Sequence, residues 1–157
     1  MKQNKYDDPK FFEKYSRMTR SQKGLEGAGE WHELEKLLPE FAGRRVLDLG
    51  CGYGWHCVYA AQKGAASVLG VDLSEKMLAT AREKNSGAVI RYRRAAMEDL
   101  AFAPGSFDVV LSSLAFHCVR DFAPLVEPRP PQEMMDLPGM RDELRHPMML
   151  LVAAQKQ

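Results

Sequence analysis

The chain has 157 residues, 45% of them apolar and 27% charged, and a formal net charge of +1. That length suits one domain burying about 70% of its unfolded surface. The balanced charge leaves no electrostatic footprint for nucleic acid, and without a membrane-length apolar run or a signal-peptide core the expected location is the cytoplasm, with no membrane partner.

Residues 1–43 read as helical. Asp8-Pro9 fits a helix start, with a capping carboxylate and proline at the first helical position, leading into Phe11, Phe12 and Tyr15. Arg20 to Gly29 is glycine-rich and reads as a mobile link. Trp31, Leu34, Leu37 and Leu38 then recur at helical spacing until Pro39.

From Arg44 the pattern alternates. Val46 to Leu49 reads as a buried strand, Trp55 to Lys63 as a helix ending at Gly64, and Val68 to Val71 as a second strand reaching Asp72. Ser74 caps a helix carrying Met77, Leu78 and Ala81 that stops before Asn85. Val89 to Tyr92 and Phe107 to Leu111 complete a set of four strands. Short links between alternating strands and helices imply right-handed crossovers, so the fold class is α/β, doubly wound, with a mostly parallel sheet. Residues 44–122 form this core. Residues 123–157 are cut by prolines, and only Met148 to Ala154 reads as a further strand.

The most informative stretch is Val46-Leu47-Asp48-Leu49-Gly50-Cys51-Gly52-Tyr53-Gly54. A strand that runs into a glycine-rich turn and then a helix presents bare main chain and a positive helix end to a nucleotide-like ligand. A dinucleotide fingerprint would place its third glycine at the position of Trp55, whereas here it falls at Gly54, which argues against NAD or FAD. Asp72 lies 22 residues after Gly50 at a strand tip, placed to accept both hydroxyls of a ribose. Cys51, Cys57 and Cys118 lack paired C-x-x-C spacing and read as reduced thiols, with no metal site.

On these residues the chain resembles the class I S-adenosylmethionine-dependent methyltransferases, in particular the small bacterial ubiquinone/menaquinone-biosynthesis-like type. The matching stretches are VLDLGCGYGWH, VLGVDLSEKMLATAR, MEDLAF and FDVVLSSLAFH, with the lead-in FFEKYSRMTRSQKGLEGAGEWHELEKLLP, spanning about residues 6–122. The resemblance implies a Rossmann-like methyltransferase fold with an N-terminal helical lid. It implies S-adenosylmethionine as cofactor, S-adenosylhomocysteine as product and a small-molecule methyl acceptor as partner. Gly50, Cys51, Gly52 and Gly54 would pass under the methionine end, with Asp48 orienting the turn. Asp72 would hold the ribose, and Leu73 and Met77 would pack on the adenine. The backbone of Met97, with Glu98 beside it, would meet the adenine edge. Relatives usually carry an aspartate just before that position, where this chain has Ala96; either Glu98 substitutes or that hydrogen bond is missing. Tyr15 and Arg20 would belong to the lid.

Such chemistry needs no dedicated base, because in-line positioning can supply about 7–11 kcal/mol. His117, five residues past Ser112, is the candidate proton acceptor if the nucleophile is a hydroxyl or amine. His32 and His56 are weaker candidates, and His146 reads as surface. Relatives have seven strands where this chain offers five, so a block carrying two strands and much of the acceptor pocket is read as missing near Val126-Glu127. A fourth strand left at the sheet edge would be a liability unless the tail strand covers it. The leading reading is a methyltransferase; the alternative is a remnant that binds the cofactor without turnover, or an interaction protein.

Overall fold

A computed structural model describes residues 4–115 and 154–155 of the chain. Its centre is a sheet ordered β3-β2-β1-β4-β5, built from β1 (Arg45–Leu49), β2 (Ser67–Asp72), β3 (Ile90–Arg94), β4 (Val109–Leu111) and β5 (Ala154–Gln155). The first four strands are parallel, and β5 runs antiparallel to β4. β1 lies in the middle with partners on both sides, which is why its residues read as a continuous apolar run rather than an alternation. Val46, Val68 and Val71 are fully enclosed.

Helix α1 (Pro9–Ser16) starts as its dipeptide predicts, with the Asp8 carboxylate accepting from the Phe11 amide at 2.8 Å. The glycine-rich stretch that follows is not a bare link. It folds into α2 (Thr19–Lys23) and a 3₁₀ turn (Gly24–Gly27), with Ser21 and Gly24 buried. The helix fits because Gly24 and Gly27 allow close approach: a Cβ on Gly24 would stand 2.8 Å from the Trp55 ring, and one on Gly27 2.5 Å from the Thr19 carbonyl. Helix α3 (Trp31–Leu37) ends before Leu38-Pro39.

Helix α4 (Trp55–Gln62) buries Cys57 and Ala60 against the sheet, and α5 (Glu75–Lys84) buries Met77, Leu78 and Ala81. Ser74 caps α5 as expected, accepting from the Met77 amide at 3.1 Å. Phe41, Val46, Cys57, Ala60, Val68 and Leu78 form the heart of the core.

Strand limits shift slightly from the sequence reading. β3 begins at Ile90 because its amide first closes a turn onto the Gly87 carbonyl at 3.1 Å. β4 is shorter than expected because Asp108 is spent on Arg45, whose guanidinium donates to both of its carboxylate oxygens. Of the expected tail strand, Ala154 pairs with Val110 and covers the edge of β4. Residues 148–153, and the Val126-Glu127 junction, lie outside the described residues. Among the described residues no helix is long and apolar enough to cross a membrane.

Candidate functional site

The carboxyl ends of β1, β2 and β4 open into a cavity of about 430 Å³. Parallel sheets place ligands there because flanking loops diverge at that edge and helix N-termini point into it. The sheet side is supplied by the turn after β1, the tip of β2 and the end of β4; the other wall comes from the N-terminal segment, including Asn4, Tyr6, Tyr15 and Met18.

The turn is fixed before any ligand arrives. The amides of Gly50 and Cys51 both donate to the Val71 carbonyl, at 2.8 and 3.0 Å. The Gly52 amide donates to Asp72 Oδ2 at 2.9 Å, while the other carboxylate oxygen of Asp72 accepts from the Ser74 amide at 2.8 Å. Burial pushes the Asp72 carboxyl up, against the pull of its amide donors.

The three glycines serve different ends. A Cβ on Gly50 would meet Ala115 at 2.2 Å, and one on Gly54 would meet the Tyr92 hydroxyl at 2.2 Å. Both are therefore required by packing within the protein. Gly52 differs: its φ is +53°, and nothing stands within 4 Å of where a Cβ would be. This is the glycine that faces open cavity.

Of the residues singled out in the sequence, Gly50, Cys51, Gly52, Asp72, Leu73 and Met77 line the cavity. So do Met97, Glu98, Tyr15 and Arg20. The Met97 side chain reaches across so that its methyl lies 3.0 Å from a Cβ position on Gly50. Burial raises the Tyr15 phenol against the opposing charge of Arg20. Asp48 and Gly54 are not on the cavity wall. Asp48 is enclosed beneath the turn, accepts from the Cys57 thiol at 3.4 Å, and is pushed up by burial. Gly54 seats the start of α4 on Tyr92. His117 lies outside the described residues. Among the described residues no group of three or more potential ligating side chains could hold a metal ion.

This geometry can be set beside known proteins. A family model described as "Methyltransferase domain" matches residues 47–127, just over half of the chain.

The chain belongs to the methyltransferase-domain family.

A ubiquinone biosynthesis O-methyltransferase from Neisseria meningitidis is 38% identical over 127 residues, covering 72% of this chain and 52% of that protein. A solved S-adenosylmethionine-dependent methyltransferase from Mesorhizobium loti is 51% identical with a TM-score of 0.61, covering 64% of this chain and 46% of that one. A phosphoethanolamine N-methyltransferase from Haemonchus contortus, solved with S-adenosylhomocysteine, is 27% identical with a TM-score of 0.54, covering 66% of this chain and 24% of that one. The chain spans about half the length of the curated relatives it matches. The family resemblance and the Rossmann-like methyltransferase fold drawn from the sequence are borne out.

Within this methyltransferase domain, several supporting residues escaped the sequence reading. Asn85 ends α5, as the sequence predicts, and does more than stop a helix. It is buried, and its side chain donates to the Tyr53 carbonyl at 2.7 Å while its own carbonyl accepts from the Tyr92 hydroxyl at 2.7 Å. Asp7 accepts from the Ser74 hydroxyl at 2.5 Å and from the Lys76 amide at 3.1 Å, so it doubles the cap of α5. Glu30 is ion-paired with Arg20. Asx residues at element ends were the available signal for Asn85 and Asp7; nothing local pairs Glu30 with Arg20.

Proposed function

We propose that the protein is an S-adenosylmethionine-dependent methyltransferase that passes the methyl group in line to a small-molecule acceptor, leaving S-adenosylhomocysteine. The observation that carries this reading is the Gly52–Asp72 pair: a side-chain-free turn facing open cavity, tied to a carboxylate at the tip of the next strand. The residues fit the cofactor. Asp72 uses one lone pair of each oxygen on amides, which leaves the others for two ribose hydroxyls. Leu73 and Met77 offer apolar surface for the adenine, and Glu98 a carboxylate beside it. The cavity volume is in the range of small-molecule sites.

When bound, the sulfonium supplies an activated methyl group. The chain's own part is to hold the amino-acid end against the Gly50–Gly54 turn, exclude water with the aromatic wall of Tyr6 and Tyr15, and keep the acceptor in line. The acceptor's proton, where it has one to lose, is assigned to His117. The cytoplasm is the proposed compartment.

Calorimetric titration with S-adenosylhomocysteine, followed by a methyl-release assay over a panel of hydroxyl, amine and carbon acceptors, tests the reading. Binding with methyl transfer is the expected result. Binding with no transfer to any acceptor would instead favour the cofactor-holding remnant, and NADH binding at the same site would overturn the cofactor assignment.

A further inference from the structure

Asn85 is 5% exposed and stands off the cavity wall. A buried side-chain amide needs partners, and this one spends a donor on the glycine turn. Its Nδ2 donates to the Tyr53 carbonyl at 2.7 Å, across 32 residues of sequence. Its backbone is engaged separately: the amide donates to the Ala81 carbonyl, and the carbonyl accepts from the Tyr92 hydroxyl. A change of side chain therefore breaks the bond to the turn and keeps the other two.

Tyr53 lies between Gly52, which faces open cavity, and Gly54, which seats α4. Its ring packs edge-on against Tyr15 at 5.7 Å and lies 6.1 Å from Phe12, so α1 holds the ring while Asn85 holds the carbonyl. The turn is tied down in two halves. The amides of Gly50, Cys51 and Gly52 are bound to β2, by the Val71 carbonyl and the Asp72 carboxylate. In the second half the Gly54 amide closes onto the Cys51 carbonyl within the turn, and Asn85 reaches in from the end of α5.

Resting on the reading above, we infer that Asn85 is a positioning residue for the amino-acid end of the cofactor, acting through the Tyr53 carbonyl. It touches no ligand itself. Without its donor a buried acceptor goes unpaired, and the turn relieves this by moving toward the solvent of the cavity. Gly52 and Gly54, both at positive φ, give the backbone the freedom to do so. The shape that seats the ligand then becomes one population among others, and apparent affinity falls in proportion. Asn85 thus withholds from the turn a freedom that its glycines would otherwise grant.

The test is calorimetry on the wild type, Asn85→Ala, Asn85→Leu and Asp108→Ala, with S-adenosylhomocysteine and with 5′-methylthioadenosine, which lacks the amino-acid end. Asn85→Ala is expected to bind S-adenosylhomocysteine about tenfold more weakly, the scale of one buried hydrogen bond. Its loss for 5′-methylthioadenosine is expected to be smaller. A merely structural role would not move the ratio of the two affinities. Asn85→Leu keeps the volume and removes the donor, so it should show the same split even if the alanine variant fails to fold. Asp108→Ala is the control. It breaks the pair with Arg45 where β1 and β4 begin, at the end of the sheet away from the cavity. It is expected to lower stability in urea and to leave both affinities unchanged. Unchanged S-adenosylhomocysteine binding by the Asn85 variants, an equal loss for both compounds, or the same split in Asp108→Ala would overturn the inference. Failure of the wild type to bind either compound would sink the cofactor assignment, and the inference with it.

Discussion

The Gly52 amide and the Asp72 carboxylate are joined at 2.9 Å, so the residue proposed to hold the ribose also holds the turn beneath it. Ser74 takes the other oxygen. Asp72→Asn therefore cannot be neutral. Whichever way its amide is turned, the NH₂ faces one of two backbone donors. We expect a loss of about 1–3 kcal/mol in stability, the cost of a mismatched buried donor, together with weaker binding of S-adenosylhomocysteine. Urea denaturation and calorimetry on the same preparation measure both.

Gly54→Ala is expected to destabilise without removing any ligand contact. The residue sits at φ +77°, and the added methyl would press on the Tyr92 hydroxyl. Backbone strain accounts for about 1–3 kcal/mol, and the clash adds to it. Tyr92→Phe should rescue part of the clash and none of the strain. A thermal melt of the two single variants and the double separates the contributions.

The Asp7 carboxyl is held below its ordinary value: burial opposes ionisation, but the Ser74 hydroxyl, the Lys76 amide and the Asn4 side chain outweigh it. The unfolded chain therefore binds its proton first as pH falls. The stabilisation from this charge is complete above the ordinary carboxylate range and is lost as pH drops through the depressed folded value. Asp7→Asn should accordingly destabilise at pH 7, and the gap to the wild type should close on acidification. Asp48, pushed up by burial, acts in the opposite sense in both proteins and cancels from the difference. Asp72 is raised by burial and also by the Asp7 charge, so Asp7→Asn relieves part of that push.

At the base end, Glu98→Ala decides between the alternatives left open by Ala96. If Glu98 accepts from the adenine amino group, the variant should weaken S-adenosylhomocysteine and 5′-methylthioadenosine alike, by about tenfold. Unchanged affinity for both would mean that Glu98 does not substitute for the aspartate that Ala96 replaces.

The α/β alternation, the turn and the capped helices were legible because they depend on local chemistry. Asp8-Pro9 and Ser74 each act within three residues of themselves. The turn's glycines were also legible, but not their division of labour, because Ala115 and Tyr92 reach Gly50 and Gly54 only after the sheet has assembled. The Arg20 to Gly29 stretch misled for the same reason. Its glycines read as slack in the chain, while their role is to let backbone lie on Trp55 and Thr19. Asp7 offers only the weak signal of an Asx residue at an element end, since its partner Ser74 is 67 residues away, and Glu30, 10 residues from Arg20, offers none.

The chain has two tryptophans, and both belong to this site's surroundings: Trp55 lines the cavity beneath Gly24, and Trp31 packs its ring edge-on to Tyr59 at 4.7 Å and beside His56. The protein thus carries its own optical reporter. With Trp31→Phe, the indole emission would come from one tryptophan in the wall of the pocket, and occupancy could be followed without a label.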